Sequence, residues 1–88
     1  MSANPEDMTQ YDWFSHARIH ETTGNDEKAL EAYEKSVRLD PHYAKAWFYK
    51  AKLHYKLKQM DQARGCVKHV LELEPEWKNY IKKYMPHL

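Results

Sequence analysis

Apolar residues recur along this chain at helical spacing, and breakers cut the pattern into five segments. Residues 10–23, QYDWFSHARIHETT, set Trp13, Ala17 and His20 on one face. Gly24 and Asn25 then stop that helix and cap the next. Residues 26–39, DEKALEAYEKSVRL, bring Ala29, Leu30, Tyr33 and Val37 together, with Asp26 and Glu27 at the start and Arg38 near the end, as the helix dipole favours. Asp40-Pro41 ends this helix, because a residue before proline is driven out of the α region. Residues 44–58 predict a third helix. Residues 61–73 predict a fourth, with Asp61 as its cap and Ala63, Val67, Val70 and Leu71 inward, and Glu74-Pro75 closes it. A fifth helix over 76–84 is cut short by Pro86. There Trp77, Tyr80, Ile81 and Tyr84 are expected to supply apolar cover, while Lys78, Lys82 and Lys83 face water. No segment predicts a strand.

The segments repeat. LDPHYAKAW, from Leu39, returns as LEPEWKNYI from Leu73, a shift of 34 residues. The same shift pairs Trp13 with Trp47, Phe14 with Phe48, Ala17 with Ala51, His20 with His54, Ala29 with Ala63 and Pro41 with Pro75. The alanines carry most information, since two helices approach closely only where both are small at the crossing. The repeating unit is therefore a helix hairpin, which recurs because one hairpin cannot bury its own face.

Period and pattern together resemble the tetratricopeptide repeat family, whose signature runs W-x2-L-G-x2-Y, then A-x3-F, then P. Repeat one supplies Trp13, Ala17, Gly24, Ala29, Tyr33 and Pro41, and repeat two supplies Trp47, Ala51, Ala63 and Pro75. His16 and Lys50 stand where the family has leucine, alanines where it has glycine, His20 and His54 where it has tyrosine, and Val67 at the second aromatic. The resemblance covers residues 10–84. It implies an all-α fold, a right-handed α-α superhelix of two helix-turn-helix hairpins and a short capping helix. The chain divides into a polar lead-in at 1–9, repeat one at 10–43, repeat two at 44–77, and a capping helix and tail at 78–88. Two repeats fall short of the roughly three needed for independent stability, so the fifth helix is expected to serve as a cap.

Composition narrows the function classes. The length suits one domain, and no run approaches about 18 apolar residues, so no membrane-spanning helix is expected. The opening MSANPEDM is acidic and has no apolar signal core, which argues against secretion. Cys66 is the single cysteine, so no intrachain disulfide can form, in keeping with a cytoplasmic protein. Net charge is +1, but residues 1–43 carry nine acids and four bases, whereas residues 44–88 carry four acids and ten bases. The halves therefore sum to −5 and +6, a dipole that biases the choice of partner.

In the resembled family the first helix of each hairpin lines a concave surface that takes peptides or partner segments. Here the third helix sets Lys45, Phe48, Tyr49, Lys52 and Lys56 in one stripe. The corresponding stripes are Tyr11, Phe14, Ser15, Arg18 and Thr22 on the first helix, and Asn79, Lys82 and Lys83 on the fifth. Such a basic, aromatic groove predicts a protein or peptide partner that is acidic and has apolar anchors. Some family members clamp a terminal carboxylate of chaperone tails with Lys, Asn and Arg. Phe14, Tyr49 and Asn79 do not fit that set, so strict chaperone-tail binding is not predicted. The plainer reading, lysines that only solvate a helix face, stands beside this one.

Two other classes compete. The acidic and basic halves could meet head to tail, or pair as a two-fold homodimer with opposed halves. Lysines interleaved with Trp47, Phe48, Tyr49 and Tyr55 could stack on single-stranded nucleic acid, although the acidic first half opposes a phosphate backbone. His16 and His20 have the spacing of a zinc pair but no third ligand, and His54 repeats His20, which favours packing. No phosphate loop, nucleophile triad or close acid pair is present, so neither enzyme activity nor a cofactor or metal is expected.

Overall fold

The computed structural model describes residues 5–88. Residues 1–4 of the expected lead-in lie outside the described residues, and Pro5–Asp7 form a 3-10 turn. All regular structure among the described residues is helical, and no helix there is long and apolar enough to cross a membrane. The chain divides into two compact units, residues 1–43 and 44–88.

The first unit is a hairpin of α1 (Gln10–Thr22) and α2 (Asp26–Leu39). Its start is fixed by a reciprocal cap. The Asp12 amide donates to the Thr9 hydroxyl at 3.2 Å, and the Thr9 amide donates to the Asp12 carboxylate at 2.9 Å. Met8, just ahead of the cap, is buried and borders the same recess as Trp13. The lead-in therefore stops being a solvated segment before residue 8. Ala17, Ala29 and Tyr33 are fully buried in this unit, and Ala32 and Val37 nearly so. Ser36 is also fully buried, and its hydroxyl is satisfied by donating to the Gln10 carbonyl at 2.7 Å.

The second unit holds α3 (Ala44–Lys56), α4 (Met60–Leu73), a 3-10 turn at Pro75–Trp77, and α5 (Lys78–Tyr84). Ala51, Cys66, Val70, Ile81 and Met85 form its core. Ile81 and Met85 lie one turn apart, so they pin α5 onto the α3–α4 hairpin along a single line. Each such side chain taken from water contributes about 1.5–3 kcal/mol. Trp77 and Ile81 thus give the cover expected of them, but Tyr80 and Tyr84 remain 59% and 45% exposed.

The two signature tryptophans are held alike. The Lys35 amine lies 4.3 Å from the Trp13 ring centre, and at the equivalent place His69 stacks on Trp47 at 4.0 Å. His16 stands 6.1 Å from Trp13, and the Lys50 amine 5.3 Å from Trp47. Each indole is bracketed by one basic residue from its own helix and one from the partner helix of the hairpin.

α1 and α3 end by the same motif. The Asn25 amide donates to the His20 carbonyl at 2.7 Å, and Gly24 to Glu21 at 3.1 Å. In repeat two, Gln59 donates to His54 at 2.8 Å and Lys58 to Tyr55 at 3.0 Å. This double closure needs a left-handed residue just past the helix. Gly24 meets the need with φ 84°, and Lys58 is forced to φ 62°. Because residues 57–59 form the closure, α3 stops at Lys56 instead of residue 58. α4 then starts at Met60 with Gln59 in the cap position. Asp61 is not the cap; it stands exposed and pairs with Arg64 at 3.0 Å.

Lys58→Gly is expected to stabilise the protein by about 0.5–1 kcal/mol, since relief of a left-handed side chain outweighs the entropy glycine adds to the unfolded chain. Gly24→Ala is expected to cost about 1 kcal/mol through backbone strain alone, because nothing lies within 4 Å of the added carbon. Urea midpoints moving in these opposite senses at unchanged slope check both.

Candidate partner-binding surface

In the second unit Lys45, Phe48, Tyr49 and Lys52 of α3 line one recess of about 410 Å³ together with Trp77, Tyr80 and Tyr84. The Lys52 amine lies 4.7 Å from the ring centre of Tyr84, 5.0 Å from Tyr49 and 5.7 Å from Phe48. Phe48 in turn meets Trp77 and Tyr84 edge-on at 6.2 and 6.0 Å. The rings are therefore braced by one another, and the ammonium is held at their faces, where each contact is worth about 0.5–1 kcal/mol at an exposed site. An ammonium so held still has its hydrogen-bond donors open to an incoming carboxylate.

The fifth helix takes part through another side than expected. Trp77, Tyr80 and Tyr84 line the recess, whereas Asn79 and Lys82 do not. Lys83 is exposed, with its amine 5.5 Å from the Tyr84 ring, and Lys56 lies outside the lining. The reason is the polarity of a repeat stack. Shifting the α3 stripe by one period carries over the side of α3 that faces onward, whereas α5 meets α3 with its opposite, backward-facing side. Ile81 and Met85 fix the roll of α5, which leaves Tyr80 and Tyr84 on one flank and Lys78 and Lys82 on the other.

The first unit presents its stripe differently. Tyr11 is 58% exposed and meets Tyr43 edge-on at 5.1 Å. Phe14 is not a groove anchor within this unit: it is buried, 5.9 Å from Tyr33 and 5.6 Å from Tyr43. Arg18 is tied to Glu21 at 3.1 Å, and the buried Tyr33 hydroxyl donates to the same carboxylate oxygen at 2.6 Å. Burial, followed by that hydrogen bond, pushes the Tyr33 phenol well above its ordinary value. Burial and the neighbouring Tyr11 also raise Tyr43. The Tyr33–Glu21–Arg18 chain spans two helices and was not legible in sequence, since repeat two replaces its members with Val67, Tyr55 and Lys52.

Among the described residues no three His, Cys, Asp or Glu side chains converge to hold a metal. Cys66 is buried in the second core.

The hairpins, their alanine positions and their period invite comparison with known proteins. A tetratricopeptide repeat family model matches residues 23–83. The chain belongs to the tetratricopeptide repeat family. It is 34% identical over 59 residues to human tetratricopeptide repeat protein 12, across 67% of this chain and 8% of that protein. It is 44% identical over 43 residues to an uncharacterized protein of Methanocaldococcus jannaschii, across 49% of this chain and 50% of that one. The chain thus spans at most half the length of these relatives. What tetratricopeptide repeats share is mediation of protein–protein interaction.

Removing the phenol that reaches Glu21 tests the unit-one network. Tyr33→Phe is expected to lower stability by about 1–2 kcal/mol, since it removes a hydrogen bond to a partly buried charge. The folded Tyr33 holds its proton above the ordinary value of 10.0. Its contribution is full below that pH and is lost as pH rises beyond it. Denaturation measured across the alkaline range checks the sign: the decline of the parent protein should flatten in Tyr33→Phe.

Proposed function

We propose that this protein is a small interaction adaptor whose second repeat grips an acidic peptide segment through the Lys45–Lys52 recess. The observation that carries the reading is the Lys52 ammonium set among Phe48, Tyr49 and Tyr84, with Trp77 and Tyr80 beside it. A carboxylate meets the ammonium and Lys45, and an aliphatic or aromatic residue of the same segment lies on the exposed rings of Tyr80 and Tyr84. Absence of acids from residues 44–58 leaves no carboxylate on α3 to compete for that ammonium. Affinity is modest, because each screened pair adds only about 0–1 kcal/mol, and salt weakens it.

An amide NMR titration of the full chain with a short acidic peptide bearing one aromatic residue tests the proposal. Shifts are expected over residues 45–52 and 77–84, fading as salt rises. Lys52→Glu should weaken binding about fivefold, near 1 kcal/mol. Shifts elsewhere, or equal affinity in Lys52→Glu, would overturn it.

A further inference from the structure

A second groove lies on the other flank of α5, within the second unit, with a volume of about 780 Å³. Its floor is Val67 and Leu71 of α4, Ile81 of α5, and Met85 and Leu88 of the tail. Arg64, Lys68, Lys78 and Lys82 line its rim, with Glu72 the single acid there. On α4 these residues fall at i, i+3, i+4, i+7 and i+8, a stripe separate from the inward Ala63, Cys66 and Val70. α4 is therefore apolar on two sides, and Val67 and Leu71 on the second pack only partly buried against the edge of the unit's core. Positions 33 and 37 of repeat one, which match 67 and 71, are 0% and 2% exposed, whereas Val67 and Leu71 are only half-buried.

We infer that this groove docks an amphipathic helix of another protein, with an apolar ridge flanked by acidic residues. The α4 stripe from Arg64 to Glu72 runs about two helical turns, roughly 12 Å, which suits a helix laid along the α4–α5 trough. The rim sets the charge of the guest. Lys68, Lys78 and Lys82 are exposed and enter no ion pair among the described residues, so basic charge prevails on the rim despite Glu72. A second copy is a poor occupant. Groove against groove would oppose two basic rims, and the acidic helix of this chain, α2, already buries its apolar Ala29, Ala32, Tyr33 and Val37. This site shares no lining residue with the Lys45–Lys52 recess, so each can fail without the other.

The probe is a blocked synthetic peptide of about five helical turns, with leucines on one face and glutamates on both flanks. The control carries lysines in place of the glutamates. Binding to the full chain is read by fluorescence anisotropy, and location by amide shifts. The expected result is shifts at Val67, Leu71, Ile81 and Leu88, with the lysine peptide at least about tenfold weaker. The double variant Lys68→Glu/Lys82→Glu, made at exposed positions that leave the core intact, should weaken the glutamate peptide about tenfold at unchanged thermal midpoint. Equal binding of the two peptides, or shifts centred on Tyr49 and Lys52, would overturn the inference. So would a concentration-dependent mass in sedimentation that the double variant abolishes, since a second copy would then fill the groove.

Discussion

Close approach of two helices at alanine is the constraint on which the rest of this structure depends. Ala17 and Ala29 in the first hairpin, and Ala51 and Ala63 in the second, have no exposed surface. A larger side chain at any of them would push the helices apart and open the flanking aromatic contacts. With the axes held close, Trp13 and Trp47 are left at the hairpin edge, where a basic side chain from the partner helix covers each indole. The closing motif after α1 and α3 follows from the same closeness, since neighbouring helices so near need a connection of only a few residues. Repeat two pays in strain at Lys58 what repeat one avoids with Gly24.

On this common scaffold the repeats carry different chemistry. Arg18 and Lys52 are equivalent, yet their surroundings differ because Glu21 becomes Tyr55. Arg18 is bound to the Glu21 carboxylate, which also receives the Tyr33 hydroxyl. Lys52 has no acid within its own helix and lies over three rings instead. Tyr55, released from that role, accepts a hydrogen bond from the His87 amide at 3.2 Å and stacks on its ring. One position thus converts a structural cation into a cation at a surface recess, and ties down the chain end at the same time.

α5 completes the second unit by dividing its surfaces. Its Ile81–Met85 line is committed to the core. The tyrosine flank joins α3 and the lysine flank joins α4, so two recesses of different character lie to either side of one short helix. The first is aromatic with a central ammonium; the second is aliphatic with a basic rim. Both belong to the half of the chain that carries +6.

The sequence by itself determined the five helices, their pairing into hairpins and the family, because periodicity, small residues and prolines act over one or two helical turns. It also marked Lys45, Phe48, Tyr49 and Lys52 as a stripe, since spacing on one helix is a local property. It contained the Thr9-x-x-Asp12 cap as well, a signature as legible as Gly24. Only the tertiary structure decided that Phe14 is buried, that Arg18 is occupied by Glu21, and that Trp77, Tyr80 and Tyr84 stand where Asn79, Lys82 and Lys83 were expected. Each of these depends on which flank of a helix meets its neighbour. That choice is made by the roll of a whole helix against a core assembled from distant residues, and translational symmetry in sequence does not encode it.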